Sequence, residues 1–125
     1  MRTPSTTASA SSLVANHLLH AFAWCALRVH PPVRAKALVD KVARWMRPID
    51  DRDEAARLLA VVDGHGTCLS RALTVAARTP RAEVVIAVRG LAPRLSAHAW
   101  VELDGRSLRE EDVAGQEIGR LASSR

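Results

Sequence analysis

Two stretches in the second half of the chain, VVIAV (84–88) and SAHAWVELDG (96–105), decide the fold that we expect. The first is a short β-branched run between turn-forming residues, which is typical of a buried strand. The second predicts another strand over Ser96–Leu103, and its final Asp104-Gly105 is a strong hairpin signal. Arg106–Leu108 should therefore return antiparallel, and the sequence predicts a small antiparallel sheet.

The preceding half of the chain predicts helices, because its apolar residues recur at helical spacing and prolines or glycines separate the segments. The predicted helices are Leu13–Val29, Val33–Met46, Glu54–Val62 and Cys68 to about Arg78. Residues 1–12 are predicted to be disordered and 13–125 to form one domain. The tail after Val113 is predicted as a short helix or a frayed end. Helices followed by a small antiparallel sheet define an α+β class.

The composition limits the class of protein. A chain of 125 residues predicts one domain, and a net charge of +5 suits an acidic partner, either nucleic acid or an acidic peptide. The arginines are scattered, however, and no zinc-finger spacing or aromatic RNA-binding signature is present. Asn16, His17 and His20 share one face of the helix predicted over Leu13–Val29, which makes it too polar for a membrane span and a poor signal peptide. We expect a cytoplasmic protein without nucleic-acid or membrane partners.

The segment GHGTCLSR (64–71) places Cys68 at the mouth of a predicted helix that Thr67 could cap. Its glycines allow a sharp turn, and the first helical turn offers free N–H groups and the positive end of the helix dipole. These features stabilise a thiolate and an oxyanion, as a cysteine nucleophile requires. A plain cysteine at a helix start is the alternative. Cys25, inside an apolar run, is expected to be a buried small hydrophobe.

His98 stands between two alanines on the second predicted strand, with Trp100 on the same face. The small neighbours leave room for another group to approach the ring. A neutral imidazole near a thiol can take its proton and return it to a leaving amine. A structural histidine at a strand end is the alternative. A metal site of Cys68, His65 and His98 is conceivable, but no paired ligand motif accompanies them.

A carboxylate should orient that imidazole. The acidic residues that follow the second strand are Asp104, Glu110, Glu111 and Asp112. Asp104 is best explained as a turn former. A two-residue turn pairs His98 with Glu111, whereas a three-residue loop places Asp112 opposite His98 and Glu110 diagonal to it. The sequence does not fix this register, and each of the three later carboxylates could equally be a solvated surface charge.

Three segments, taken in order, resemble a known family. They are CLSRAL (68–73), VVIAV (84–88) and AHAWVELDG (97–105). They are similar to the lasso-peptide maturation proteases, the B proteins related to the microcin-processing leader peptidase, which have a transglutaminase-like (papain-like) core. The resemblance spans roughly Leu13 to Leu121 and is sharpest from Gly66 to Gly105.

The resemblance implies a cysteine peptidase that removes the leader from a ribosomally made lasso-peptide precursor. Carried over residue by residue, Cys68 corresponds to the nucleophile and His98 to the general base. The position of the family's aspartate corresponds here to Glu110, which is a departure from the pattern. The resemblance therefore implies Glu110 as the third member of the triad, with Asp112 as the alternative after a local deletion.

The resemblance also implies partners. These are the precursor's leader, an ATP-dependent lasso cyclase that closes the macrolactam ring, and a separate leader-recognition protein, because this chain is too short for the recognition domain that some members carry. No cofactor is expected, although ATP dependence could enter through the cyclase. The alternative is a catalytically inactive transglutaminase-like module that presents a peptide groove. The departure at Glu110 favours that alternative.

Overall fold

The computed structural model describes the backbone of residues 6–90 and 94–122, and it describes their side chains except in 6–12 and at Glu110. Over these residues the chain forms four α-helices, then four strands with a 3₁₀ turn before the last strand. The elements are α1 Thr6–Val29, α2 Pro32–Ala43, α3 Arg52–Val62, α4 Cys68–Arg78, β1 Ala82–Arg89, β2 Ser96–Leu103, β3 Arg106–Ser107, the 3₁₀ turn Glu110–Asp112 and β4 Gln116–Ala122. The predicted α+β class is confirmed.

Helix α4 positions the candidate site, because it contacts α1, α2 and α3 as well as β1 and β2. Its side chains Leu73 and Val75 are fully buried, and they belong to the same core as Val84 of β1 and Val101 of β2. Each fully buried aliphatic side chain of this kind stabilises the fold by about 1.5–3 kcal/mol. The helix that begins at Cys68 is therefore held firmly against the sheet.

Helix α1 starts earlier than predicted, and part of its apolar surface is exposed. It begins at Thr6 rather than at Leu13, and residues 1–5 lie outside the described part of the chain. Ala is the best helix former, and the alanines at 8 and 10 suit this extension. The face with Leu19 and Ala23 is buried, whereas Leu18 is 67% exposed on the opposite side. Within the described ranges, no helix combines the length and apolarity that crossing a membrane requires.

Cys25 is exposed on α1, so its expected burial is wrong. Large apolar residues of this helix are exposed as well, among them Leu18, Phe22 and Trp24. An apolar run in the sequence does not specify which of its residues face inward.

The sheet has the strand order β3-β2-β1-β4, and its pairs are antiparallel. Asp104 and Gly105 have φ angles of 55° and 78°, so they form a two-residue turn in which both residues are left-handed. Leu103 pairs with Arg106 across this turn, as the hairpin signal predicts.

Strand β3 ends after Ser107, and only the Leu108 amide continues the ladder, with a 3.0 Å bond to the Val101 carbonyl. The chain then leaves the sheet. Glu111 and Asp112 lie in the 3₁₀ turn and not on a strand, so neither predicted pairing with His98 forms. The two-residue turn gives one of the two registers that the sequence allows. β3 is too short, however, for this register to place a residue opposite His98.

The tail forms strand β4, which pairs with β1 at the edge opposite β2. The predicted short helix or frayed end is therefore wrong. β4 buries little of its own surface, so its sequence shows no strong strand pattern. β1 is rich in valine and offers unpaired backbone groups along this edge, and pairing with β4 satisfies them.

Candidate active site

A pocket lies where the start of α4 faces β2. It is lined by Leu59, Cys68, Arg71, Ala72, His98, Ala99, Trp100, Val101, Arg109 and Asp112. The fold therefore brings the thiol of Cys68 and the imidazole of His98 to one cavity, although they are far apart in the chain. The side chain of Glu110 lies outside the described part of the structure.

Cys68 is the first residue of α4, and the residues around it cap the helix reciprocally. The Thr67 hydroxyl accepts a hydrogen bond from the Ser70 amide at 3.1 Å, and the Ser70 hydroxyl accepts one from the Thr67 amide at 3.0 Å. The prediction that Thr67 caps this helix is confirmed. Among the described residues, no acceptor bonds the amides of Cys68 and Leu69. Both amides can donate to an oxyanion formed next to the sulfur.

His98 lies on β2 and is partly buried. Its ring lies beside that of Trp100, which is 5% exposed, with 6.0 Å between the ring centroids and a 42° angle between the planes. No hydrogen bond joins the His98 ring to a side chain that the structure describes. Trp100 forms one wall of the pocket, and the imidazole is free to exchange a proton with a group that enters it.

Asp112 reaches the pocket from the 3₁₀ turn. Its carboxylate accepts hydrogen bonds from Arg109 Nε at 2.9 Å and Arg109 Nη2 at 3.3 Å. Arg109 also lies 3.4 Å from the Asp63 carboxylate, at the loop that follows α3. Arg109 therefore fastens the turn that carries Asp112 to the helical half of the domain.

A comparison with known families agrees with this architecture. The sequence model of the transglutaminase-like superfamily matches residues 13–123. This chain belongs to the transglutaminase-like superfamily. The expected transglutaminase-like fold is thereby confirmed, in a superfamily that includes cysteine peptidases. No curated protein and no solved structure gives a significant match.

The loop before the cysteine of this transglutaminase-like domain depends on Gly66. Its φ is +62°, a left-handed conformation that glycine adopts freely. A Cβ at this position would lie 2.6 Å from Ser70 Oγ and 2.9 Å from the ring of His20. The glycine therefore allows both the sharp turn and the close packing beneath it.

His20 supports the same loop from α1 and is only 4% exposed. Its Nε2 and Ser70 Oγ are hydrogen-bonded at 3.0 Å, so α1 contacts the first turn of α4 directly. Burial lowers the pKa of His20, and the positive charge of Arg71 and the neighbouring His65 and His17 lower it further. The neutral form of the imidazole is therefore favoured beside the loop.

The remaining candidates from the sequence lie elsewhere in the transglutaminase-like fold. Asp104 is in the β2–β3 turn, where both of its oxygens accept bonds from Arg81 at 2.9 Å. Glu111 is exposed. His65 stacks edge-on against His17, with 5.9 Å between ring centroids, and does not line the pocket. Among the side chains that the structure describes, no three or more of His, Cys, Asp or Glu are arranged to hold a metal ion.

Sequence reasoning gave no role to Arg71, Arg109, Ser70 or His20. Arg71 follows Cys68 by three residues on a predicted helix, and this spacing could have placed it on the same face. His20 and its polar neighbours on one face of α1 could have indicated a contact with another polar element. Nothing in the sequence indicates the contact of Arg109 with Asp63, because it joins distant loops.

Proposed function

We propose that this domain is a cysteine peptidase in which Cys68 is the nucleophile and His98 is the general base. One observation carries the proposal: Cys68, at the first residue of α4, and His98, on β2, line the same pocket. A sulfur at a helix N-terminus with an imidazole across a cavity is the arrangement that thiol-dependent acyl transfer uses.

The reaction runs in two steps. His98 takes the thiol proton, Cys68 Sγ bonds to the scissile carbonyl carbon, and the oxyanion accepts hydrogen bonds from the amides of Cys68 and Leu69. The imidazolium then protonates the leaving amine as the C–N bond breaks, which leaves a thioester. Water attacks the thioester, His98 removes its proton, and the thiolate leaves as the carboxylic acid product forms.

For the carboxylate that orients His98 we propose Asp112, with Glu110 as the second candidate. Asp112 lines the pocket with His98, and a carboxylate has about four acceptor positions, so its bonds to Arg109 leave room for one to the imidazole. Glu110 is the residue that the family resemblance implies, and it lies in the same 3₁₀ turn.

We propose that the substrate is the precursor of a lasso peptide, from which the enzyme removes the leader. The segments 68–73, 84–88 and 97–105 support this, since in this order along the chain they are similar to segments of the lasso-peptide maturation proteases. The setting that follows is cytoplasmic, with a separate leader-recognition protein and an ATP-dependent cyclase as partners. Any ATP requirement would enter through the cyclase.

The test is incubation of the protein with its precursor, with and without the recognition protein and the cyclase, followed by mass spectrometry. Wild type should release free leader, and Cys68→Ala and His98→Ala should release none above background. Cys25→Ala is the matched control, because this second thiol is exposed on α1 and outside the pocket. Leader release by Cys68→Ala at the wild-type rate would contradict the proposal.

A catalytically inactive peptide-binding module is a second candidate. One observation favours it: the Asp112 carboxylate is bonded to Arg109, and no described side chain is hydrogen-bonded to the His98 ring. Such a module would bind the leader as tightly in Cys68→Ala as in the wild type and would cleave it in neither. Titration of a labelled leader peptide together with the cleavage assay separates the two candidates.

A further inference from the structure

Arg71 carries a charge in the pocket that no described carboxylate pairs with directly. Arg109 and Asp112, the other ionised side chains of the lining, are bonded to each other. Arg71 instead donates from Nη1 to the backbone carbonyls of His65 at 2.9 Å and Gly66 at 3.3 Å. Its Nε and Nη2 groups have no acceptor among the described residues.

The position of Arg71 relative to the sulfur follows from the helix. Residues three apart on a helix are neighbours, with about 5–6 Å between their Cβ atoms. Arg71 and Cys68 are such a pair on α4, and both line the pocket. The two carbonyl bonds hold the guanidinium at the loop before Cys68, so a group attacked by the sulfur passes close to a fixed positive charge.

The other charges nearby do not cancel this one. The charge of Arg71 also acts on the Asp63 carboxylate, but the pKa of Asp63 is lowered first by the hydrogen bond from Arg109. Burial lowers the pKa of His20, and the charge of Arg71 lowers it further. A guanidinium with two N–H groups available matches the geometry of a carboxylate.

We infer that Arg71 is a specificity-determining residue that holds a carboxylate of the peptide beside the bond that Cys68 attacks. This inference rests on the proposed peptidase function. The carboxylate belongs either to an acidic side chain of the substrate or to the C-terminus of a peptide that ends near the scissile bond. The binding chemistry is the same for both.

The test measures the field beside the sulfur without using peptidase activity. The Cys68 thiolate displaces iodide from iodoacetate or from iodoacetamide, forming an S–C bond as the C–I bond breaks. The reagents differ in one negative charge, so the ratio of their rate constants reports the local charge. All variants carry Cys25→Ser, which removes the exposed second thiol.

Arg71→Gln should lower the iodoacetate-to-iodoacetamide ratio by about three- to tenfold, as expected for one charge a few ångströms away in a partly hydrated site. Arg71→Lys should keep most of the ratio, because it keeps the charge. Arg34→Gln removes the same charge from the exposed surface of α2 and should change the ratio by less than about twofold. An unchanged ratio in Arg71→Gln, or equal losses for both reagents, would overturn the inference and leave the peptidase proposal untouched.

Three further reagents distinguish the two sources of the carboxylate: iodoacetyl-Asp-amide, iodoacetyl-Asn with a free C-terminus, and the neutral iodoacetyl-Asn-amide. If iodoacetyl-Asp-amide reacts faster than the neutral reagent, and this preference disappears in Arg71→Gln, the carboxylate that Arg71 binds belongs to an acidic side chain. The same dependence for the second reagent assigns a C-terminal carboxylate. If neither charged reagent shows an Arg71-dependent preference, the carboxylate subsite is wrong.

Discussion

The carboxylate of Asp112 is bonded by both Nε and Nη2 of Arg109, at 2.9 Å and 3.3 Å, at the edge of the pocket that Cys68 and His98 line. Arg109 also contacts Asp63, which directly follows helix α3. The position of the acidic group in the pocket is thus set by an arginine that ties two loops together. Because each oxygen has a further lone pair, Asp112 can still accept a bond from an imidazole.

We first predict that Asp112→Asn lowers kcat for leader release by about 10²- to 10⁴-fold, since an amide neither stabilises the imidazolium nor fixes its tautomer. Glu110→Gln, the matched change in the same turn, should cost much less. The measurement is single-turnover cleavage followed by mass spectrometry. Large loss in Glu110→Gln with near-normal activity in Asp112→Asn would assign the role to Glu110 instead.

A second prediction concerns Arg109 as a positioning residue. Arg109→Gln should lower kcat by about 10- to 100-fold with little change in KM, because a misplaced carboxylate weakens catalysis more than binding. Arg109→Lys should recover part of the loss through a single charged contact. Arg81→Gln is the control, since it breaks an exposed ion pair with Asp104 at the hairpin turn and should leave kcat unchanged. Equal effects of the two Gln substitutions would contradict a positioning role.

A third prediction concerns the loop before Cys68. Gly66→Ala should destabilise the fold by more than the about 1–2 kcal/mol that a left-handed alanine costs, because the new Cβ would meet Ser70 and His20. Gly64→Ala is a matched control with φ of +83° and no atom within 4 Å of its added Cβ. Chemical denaturation of both variants should show the larger loss for Gly66→Ala. Equal losses would mean that the backbone angle alone sets the requirement.

The sequence predicts elements well where their ends are marked by local chemistry. The bounds of α4 follow from Thr67 and its capping bonds, and the end of β2 follows from Asp104-Gly105, whose φ angles only such residues adopt readily. Cys68 lies directly beside the first of these signals, and His98 lies on the strand that the second one ends.

The sequence fails where distant parts of the chain decide. β4 forms because β1 has an open edge, and no local pattern in Gln116–Ala122 reveals that. Asp112 lines the pocket from a 3₁₀ turn after a two-residue strand, whereas counting along the hairpin from His98 leads to Glu111, which is exposed. α1 carries apolar residues on its buried and on its exposed surface, so their pattern does not show which face is buried.

The last prediction follows from His20, whose pKa is lowered below its ordinary 6.5 mainly by burial, and then by Arg71, His65 and His17. The unfolded chain therefore binds a proton at His20 more readily than the folded one does. Stability contributed by the neutral imidazole is fully present above pH 6.5 and is lost as the pH falls from there towards the depressed folded pKa.

The measurement is the free energy of unfolding between pH 7.5 and pH 5 for the wild type and for His20→Gln. The wild type should lose more stability than His20→Gln over this interval, since only it must exclude a proton from the contact with Ser70. Parallel curves for wild type and His20→Gln would show that His20 does not contribute to the acid sensitivity of the fold.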